Sequence, residues 1–267
     1  MEKSSYKSIN VYTFDDNVSG IVVCGDIHGE FNEIVNKICV QNKIENSVII
    51  IAGDCGFGFN KRDYYENMYN KNSRRLKKSN NYILCIRGNH DNPEYYNDGT
   101  LFEKEYMMCI PDYSVVNVGT RTILCIGGAV SIDRTYRLTQ EIRLNLHSPV
   151  KTKSIYWNAE MPVFDKMKLS EVIERFVIDT VVTHTAPSFC EKIQKTGIEE
   201  WCRVDSALVE DLDAERKTID KIYDFLVDNK QPIRDWVYGH FHWSWNAWID
   251  GINFTMLNIN ELKGLYN

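Results

Sequence analysis

Three short apolar runs in the first third of the chain each end in a polar motif that contains glycine, and this repeat constrains the fold most strongly. The runs cover residues 20–24, 47–51 and 82–86. Continuous apolar stretches of this length are typical of strands buried on both faces of a parallel sheet. Between the first two runs, Phe31, Ile34, Val35 and Ile38 recur at the spacing of a crossover helix. The pattern therefore predicts an α/β fold.

The rest of the chain adds further predicted elements. We expect helices at 61–79, 168–177 and 206–229, and strands at 115–118, 122–126, 180–182 and 236–238. Gly119-Thr120 and Asp250-Gly251 are typical of hairpin turns. Residues 131–165, called the insert below, carry few regular patterns, and we expect them near the mouth of the site. We expect residues 1–267 to form a single domain.

The charge and hydropathy of the chain argue against several classes of partner. The net charge is −6 and the isoelectric point is about 5.6, which disfavours a broad surface for nucleic acid or anionic membrane. The longest apolar run, residues 48–52, is far too short to span a membrane, and the polar start lacks the apolar segment of a signal peptide. We therefore expect a soluble, cytoplasmic protein.

The eight cysteines are expected to be reduced. Cys24, Cys55, Cys85 and Cys125 lie in or beside apolar strand-like runs, and no two cysteines have Cys-x-x-Cys spacing. A disulfide framework or a thiolate zinc site would need more regular spacing than this. We interpret most of them as small buried hydrophobic residues.

Five polar residues follow predicted strands, at the point where each strand ends. They are Asp26, Asp54, Asn89, His184 and His240. A single residue of this kind is more often a turn former or a helix cap. Five at equivalent positions are hard to explain as caps, because the carboxyl ends of strands in α/β sheets are where ligands collect.

The residue types indicate a metal site. Five of the six histidines lie in four short motifs, Gly25-Asp26-Ile27-His28-Gly29, Gly88-Asn89-His90-Asp91, Thr183-His184 and Gly239-His240-Phe241-His242, with Gly53-Asp54 between the first two. Carboxylate, amide oxygen and imidazole without thiolate suit manganese, iron, zinc or similar divalent ions. Seven candidate ligands exceed what one ion needs, so we expect two divalent ions that share a carboxylate. Manganese is the expected metal, with iron, zinc, nickel or magnesium as alternatives.

In this order the motifs resemble the signature of the calcineurin-like metallophosphoesterase superfamily. They extend from residue 25 to residue 242, over most of the chain. The resemblance implies two mixed β-sheets packed face to face and flanked by helices. It also implies that Asp26, His28 and His242 bind one metal, that Asn89, His184 and His240 bind the other, and that Asp54 bridges them.

Two cations about 3.5–4 Å apart would lower the pKa of a shared water and bind the phosphoryl oxygens as charge builds on them. The expected reaction is direct in-line attack by the resulting hydroxide, without a phosphoenzyme. His90 is the candidate to protonate the leaving oxygen, since imidazolium can donate a proton near neutral pH; the alternative is a structural histidine. Asp91 either orients His90 or caps the turn before Pro93.

The motif around Arg87 resembles that of protein serine/threonine phosphatases and diadenosine tetraphosphatases, where this arginine contacts phosphate. Arg87 is therefore a candidate for substrate binding beside Asn89, and the alternative is a surface ion pair. Those enzymes also carry a Gly-Asp-x-x-Asp-Arg-Gly motif. In this chain Phe57 and Gly58 stand where that motif has its second aspartate and its arginine, which disfavours protein phosphatase activity.

The second histidine of the last motif, His242, is typical of the phosphodiesterase, nuclease and nucleotide-hydrolase branches. Replacement phosphate contacts are expected from the insert, with Arg134 as the first candidate and Arg137 and Arg143 beside it. His147 lies outside the motifs, and we expect it at the surface.

The main hypothesis is a metal-dependent phosphomonoesterase or phosphodiesterase that acts on a nucleotide or another small phosphorylated substrate. A non-catalytic protein-binding scaffold on the same fold is one alternative, and the presence of all seven ligand residues argues against it. A nuclease is the other alternative. It would need a basic groove or a capping domain, and the chain is acidic with no obvious cap.

Overall fold

The computed structural model describes residues 1–146, 153–190 and 198–265. Its first sheet has six strands in the order β14-β3-β4-β5-β7-β6. The strands are β3 (Gly20–Cys24), β4 (Ser47–Ile51), β5 (Tyr82–Cys85), β6 (Glu103–Lys104), β7 (Met107–Cys109) and β14 (Leu262–Leu265). Strands β3, β4, β5 and β7 are parallel to one another, and the two edge strands are antiparallel to their neighbours. The parallel arrangement predicted from the three apolar runs is confirmed.

The second sheet has eight strands in the order β1-β2-β8-β9-β10-β11-β13-β12. The strands are β1 (Glu2–Tyr6), β2 (Ile9–Thr13), β8 (Ser114–Val118), β9 (Arg121–Ile126), β10 (Thr180–Thr183), β11 (Asp235–Tyr238), β12 (Trp245–Ile249) and β13 (Ile252–Met256). Strands β8 and β9 form an antiparallel hairpin, as do β12 and β13. Both hairpins expected from their turn residues are therefore present.

Six α-helices accompany the sheets in the described residues: α1 (Phe31–Asn36), α2 (Arg62–Ser79), α3 (Arg134–Asn145), α4 (Lys166–Arg175), α5 (Ile198–Val204) and α6 (Leu208–Asp228). Helix α1 continues into a π-helical turn, Lys37–Gln41. Helices α2, α4 and α6 agree with the sequence-based expectations to within about two residues, the usual uncertainty of helix ends. Helix α3 lies inside the insert, where the sequence predicted little regular structure.

The two sheets pack face to face over an apolar layer. Val23, Ile50 and Leu84 contribute to this layer from the six-stranded sheet, and Ile123 and Val182 contribute from the eight-stranded sheet. All five side chains are fully buried. Because alternate residues of a strand point to opposite faces, the neighbouring residues of the same strands pack outward against the helices.

Helices cover both outer faces. Helices α1 and α2 cover the six-stranded sheet, with Phe31, Ile34 and Leu76 in its outer core. Helices α4 and α6 cover the eight-stranded sheet, with Leu169 and Ile222 in the core there. The result is a four-layer sandwich of helix, sheet, sheet and helix, which confirms the predicted fold class.

Two further properties agree with the sequence. Each of the eight cysteines lies in the described part of the chain as a free thiol, and six of them are buried. Among the described residues, no helix is both long enough and apolar enough to cross a membrane.

Candidate metal and active site

The candidate ligands lie together because both sheets present the carboxyl ends of parallel strands to the same place. Asp26, Asp54 and Asn89 follow β3, β4 and β5, which are neighbours in the six-stranded sheet. His184 and His240 follow β10 and β11, which are neighbours in the eight-stranded sheet. The face-to-face packing of the two sheets therefore brings residues that are distant in sequence into one cluster.

The first ligand group contains Asp26, His28, Asp54 and His242, whose ligand atoms all lie within 4.8 Å of one another. Nε2 of His242 lies 2.9 Å from Oδ2 of Asp26 and 3.0 Å from Nε2 of His28. Oδ2 of Asp26 is buried and accepts no hydrogen bond from the described residues. A buried carboxylate oxygen without a donor, facing two imidazole nitrogens, fits a divalent cation.

The second ligand group contains Asp54, Asn89, His184 and His240. Oδ1 of Asn89 lies 3.0 Å from Nε2 of His184 and 3.0 Å from Nδ1 of His240. Oδ1 of Asp54 lies 3.2 Å from Nε2 of His184, while Oδ2 of Asp54 faces the first group, 3.9 Å from Nδ1 of His28. Asp54 therefore presents one carboxylate oxygen to each group.

The backbone at these positions is strained. Four of the seven candidate ligands have positive φ angles: His28 at 44°, Asp54 at 49°, His240 at 68° and His242 at 56°. Positive φ is uncommon for residues other than glycine and persists where the surrounding structure enforces it. Eight other non-glycine residues of the described chain share this conformation, but four of seven ligand positions is a high share, and sequence patterns give no signal for it.

Glycines let the ligand loops approach one another. A Cβ atom on Gly53, whose φ is +94°, would lie 2.2 Å from Nδ1 of His184. A Cβ atom on Gly88 would lie 2.2 Å from Oδ1 of Asp54. Gly53 and Gly88, which precede or neighbour ligands in the sequence motifs, are therefore required by the close packing of the ligands themselves.

Hydrogen bonding fixes the ring of His184. Its Nδ1 lies 2.6 Å from the carbonyl oxygen of Ala52. A carbonyl can only accept, so Nδ1 carries the proton and Nε2 is left facing Asn89 and Asp54. A carbonyl contact of this kind is the usual way in which a metal-binding histidine is held in the correct tautomer.

The electrostatics of the cluster favour bound positive charge. Burial opposes ionisation of both Asp54 and His184, but their mutual attraction lowers the pKa of Asp54 well below its usual range and raises the pKa of His184 to about 9. Ligands must be deprotonated to bind a metal, so His184 would hold a cation beside Asp54 only after it loses its second ring proton.

His90, the candidate proton donor, lies beside the ligands. Its ring is 5.3 Å from the ring of His28 between centroids, in an edge-to-face arrangement, and its backbone N–H donates to Oδ1 of Asp54 at 2.7 Å. Burial lowers the pKa of the His90 imidazole, Asp54 raises it, and Arg137 lowers it. The net effect is a pKa below the usual value although Asp133 also raises it, and a dianionic substrate in this place would add a further raising influence.

Asp91 is fully buried and bonds only to backbone among the hydrogen bonds of the described residues. It accepts from the N–H groups of Cys55, Gly56, Phe57 and Gly88 at 2.8–3.1 Å. Burial, followed by the charge of Asp54, raises the pKa of Asp91 to about 7, and these N–H groups act in the opposite direction. The hydrogen bonds match neither expectation for Asp91: those of the described residues include none to His90 and none within the turn that follows it before Pro93, and the carboxylate joins two ligand loops instead.

Arg87 is also directed away from the ligands. Its guanidinium is buried and donates to the carbonyl oxygens of Ala159, Glu160 and Met161 at 2.7–3.2 Å, and it pairs with Asp112 at 3.0 Å. These contacts anchor the insert. The phosphate contact expected for Arg87 therefore has no support in the geometry, and the ion pair that we predicted at the surface is a buried one.

The arginines of the insert have different roles. Arg134 pairs with Asp205 at 2.5 Å and with Asp211 at 2.6 Å, so it ties α3 to the start of α6 instead of facing the ligands. Arg137 is buried beside the site and donates to the carbonyl oxygen of Asn89 at 3.3 Å. Arg143 is exposed. His147 lies outside the described residues.

Phe57 and Gly58, which depart from the protein phosphatase motif, have structural roles. The Phe57 ring is fully buried, and its centroid lies 4.8–5.2 Å from those of Phe31, Tyr65 and Phe102. A Cβ atom on Gly58 would lie 2.4 Å from Cβ of Asn92. The space that would hold an aspartate and an arginine in that motif is therefore filled by hydrophobic core and by the side chains of Asn92 and Trp157.

Two adjoining cavities open onto the ligands. The first, called the metal pocket, has a volume of about 380 Å³ and is lined by ligands of both groups, His90 and the side chains of Ile132 and Trp201. The second, called the α5–α6 pocket, has a volume of about 940 Å³ and lies between those two helices. They share Ile198, Leu212, His240 and Phe241 as walls. A substrate bound at the ligands can therefore extend into the larger cavity.

Comparisons with known proteins agree with this geometry. The sequence model for calcineurin-like phosphoesterases matches residues 20–256. A search of curated proteins finds no match. A dimetal phosphatase from Danio rerio is 11% identical with a TM-score of 0.51, and the alignment covers 91% of this chain and 88% of that chain. A phosphopantetheinyl hydrolase from Mycobacterium tuberculosis is 13% identical with a TM-score of 0.39 and 91% coverage of both chains. The chain is a phosphoester hydrolase and belongs to the calcineurin-like phosphoesterase family.

Proposed function

We propose that this hydrolase uses two divalent ions to cleave phosphomonoesters or phosphodiesters of small organic molecules. The observation that carries the proposal is the placement of Asp54, whose Oδ2 faces the first ligand group at 3.9 Å from Nδ1 of His28. Its Oδ1 faces the second group at 3.2 Å from Nε2 of His184. One carboxylate shared by two sets of three further ligands is the arrangement that two-metal hydrolysis requires.

Two bound ions would supply Lewis acidity, which lowers the pKa of an attacking water and neutralises charge on the phosphoryl oxygens. The protein holds the ligands for this chemistry with a strained backbone and with the fixed tautomer of His184. We assign His90 as the proton donor to the leaving oxygen, because its ring lies at the edge of the metal pocket. Asn89 is a candidate metal ligand and also lines the metal pocket. We therefore assign it a contact with substrate as well.

We propose manganese as the working ion. The donor set contains carboxylate and amide oxygens and four imidazoles and contains no thiolate. The oxygen ligands suit manganese, while the imidazoles suit zinc, iron and nickel as well. Iron, zinc, nickel and magnesium are the alternatives that a metal panel would separate.

The cavities favour a compact substrate. The α5–α6 pocket is walled by four acidic and two basic side chains: Glu199, Glu210, Asp213, Glu215, Arg203 and Arg216. An acidic excess repels a long polyanion. This supports a substrate with a single phosphoryl group and an organic leaving group, and it gives no support to a nuclease.

The test is hydrolysis of p-nitrophenyl phosphate and bis(p-nitrophenyl) phosphate by protein that has been stripped of metal and reloaded with Mn²⁺. We expect turnover of at least one ester, and loss of turnover in Asp54→Asn and His240→Ala with unchanged circular dichroism. Asp98→Asn, which alters an exposed carboxylate outside both ligand groups and both cavities, is the matched control and should retain activity. Metal-loaded protein that cleaves neither ester nor any member of a nucleotide panel would contradict the proposal.

A further inference from the structure

The orientation of the Asn89 amide decides whether the second ligand group can bind a cation. Its Oδ1 lies 3.0 Å from both His184 Nε2 and His240 Nδ1, while its Nδ2 donates to Oγ of Ser131 at 3.0 Å. Rotation of the amide by half a turn would present an NH₂ group to the same place. An NH₂ group cannot bind a metal, so some feature of the protein has to enforce the observed orientation.

Ser131 is the partner that can enforce it. Its hydroxyl is fully buried and has three neighbours: Nδ2 of Asn89 at 3.0 Å, Nη1 of Arg137 at 2.8 Å and Oε2 of Glu160 at 2.6 Å. A hydroxyl has one proton to donate and two lone pairs that accept. Arginine can only donate, and the ionised carboxylate of Glu160 can only accept.

These constraints fix the direction of every hydrogen bond. Glu160 takes the single hydroxyl proton, and Arg137 occupies one lone pair of the oxygen. The remaining lone pair of Ser131 requires a donor from Asn89, which is the NH₂ end of the amide. The carbonyl end of Asn89 must then face His184 and His240.

Ser131, Arg137 and Glu160, called the relay below, are held in place by further hydrogen bonds. Glu160 is 2% exposed, and its Oε1 accepts from the backbone N–H of Ser131 at 2.9 Å. The carbonyl oxygen of Glu160 accepts from Arg87 at 2.7 Å, and Nε of Arg137 donates to the carbonyl oxygen of Ile155 at 2.8 Å. Ser131, Arg137 and Glu160 all lie in the insert, so the insert supports the second ligand group from behind.

We propose that Ser131 is a positioning residue that, together with Arg137 and Glu160, orients Asn89 for binding of the second metal ion. The inference rests on the metal assignment of the proposed function and adds a role for the insert, which contributes no ligand in that assignment. It predicts that the relay controls the affinity of one metal site and leaves the other unchanged.

The test is calorimetric titration of metal-free protein with Mn²⁺ at pH 8, where the Glu160 carboxyl group, whose pKa burial raises to about 7, is ionised. We expect wild type to bind two ions, and Ser131→Ala to bind the first normally and the second about 10–100-fold more weakly, which is the usual cost of removing a hydrogen-bonding partner of a metal ligand. Ser114→Ala removes another fully buried hydroxyl, one that donates to the carbonyl of Pro111. This control should bind both ions as wild type does.

Glu160→Gln distinguishes a role of the relay in hydrogen bonding from a role in packing alone. It also replaces Ser131→Ala as the test if that variant does not fold. The glutamine amide has nearly the shape of the carboxyl group but can donate to Oγ of Ser131, which frees the hydroxyl proton and permits Asn89 to rotate. We therefore expect the same selective loss of the second ion. A role in packing alone would leave this variant with wild-type binding.

Wild-type affinity for both ions in Ser131→Ala and Glu160→Gln would overturn the inference, as would equal weakening of both sites. A wild-type protein that binds a single ion would overturn it as well. Wild type that binds two ions but cleaves no ester would contradict the proposed function and leave the relay standing, so the two failures are distinguishable.

Discussion

Oδ1 of Asp91 accepts a hydrogen bond from the backbone N–H of Phe57 at 2.9 Å. Phe57 stands where the protein phosphatase motif has an aspartate, and Asp91 ends the motif that supplies Asn89. Through Phe57 and its neighbours, the carboxylate joins the loop after β4 to the loop after β5. The two loops carry Asp54 and Asn89, so Asp91 sets the distance between ligands of the two groups.

Asp91→Asn should destabilise the protein. The amide would turn an NH₂ group toward backbone N–H groups that now donate to a carboxylate, so at least one of them would lose its acceptor in a buried place. We expect a loss of roughly 2–4 kcal/mol in the free energy of unfolding, measured by urea denaturation. Asp98 is an exposed carboxylate that accepts from the N–H of Thr100, and Asp98→Asn should cause a much smaller shift. Equal shifts in the two variants would contradict the role assigned to Asp91.

Phe57→Asp should fail to create a protein phosphatase site. The side chain at position 57 is surrounded by aromatic rings, among them Phe102 at 4.8 Å between centroids. A carboxylate there would be buried without a partner. We expect Phe57→Ala to cost about 3–5 kcal/mol and Phe57→Asp to cost more, measured by thermal and urea unfolding. If Phe57→Asp folds with wild-type stability, the loop after β4 can rearrange and the prediction is wrong.

Most of the fold could be predicted because the central strands are buried on both faces. Their apolar runs have no polar interruption, and each run ends at a glycine-containing motif. The short edge strand β6 was not predicted, because a strand of two half-exposed polar residues has no periodicity to detect.

Helix α3 was not predicted, and the reason is different. The residues that it buries are Arg137 and Glu141 instead of apolar side chains, so the helix lacks the apolar stripe on which sequence patterns depend. Helix α5 buries none of its side chains completely. The two helices meet through the rings of Tyr136 and Trp201, 6.3 Å apart between centroids, and a local pattern does not contain such a contact.

The clustering of the candidate ligands followed from the strand-end positions of Asp26, Asp54, Asn89, His184 and His240. The hydrogen-bonding groups that orient these ligands could not be predicted in this way. Ser131 lies 42 residues from Asn89 along the chain and 29 residues from Glu160. A serine and a glutamate at these positions have no distinguishing spacing, so the sequence reveals the ligands but not the hydrogen bonds that orient them.

Glu160 should make stability depend on pH. Burial raises its pKa to about 7 from the ordinary 4.5, against the opposing effects of Ser131, Arg137 and Arg134. Between these values the folded protein keeps a proton that the unfolded chain releases, so this group makes the free energy of unfolding fall as pH rises from 4.5 to 7. In Glu160→Gln this contribution is absent.

We therefore expect the stability of Glu160→Gln relative to wild type to increase by up to about 3 kcal/mol across that window. Urea unfolding of both proteins at a series of pH values measures the difference. Parallel stability curves for the two proteins would show that Glu160 titrates alike in the folded and unfolded chains.

The α5–α6 pocket should set the preference for the leaving group. Phenyl phosphate and 2-naphthyl phosphate have leaving groups of similar acidity but different size. We expect the larger ester to have the higher kcat/KM, because it buries more apolar area in this cavity.

Val209 lines the cavity and is 61% exposed, so Val209→Trp should fold and fill it. We expect this variant to lose about 10-fold in kcat/KM for the naphthyl ester and to retain the phenyl activity. Val227→Trp, on the same helix at a position that is 41% exposed, should leave the ratio of the two rates unchanged. If Val209→Trp also leaves that ratio unchanged, the leaving group lies elsewhere, since a tryptophan at position 209 obstructs only substrates that enter the cavity between α5 and α6.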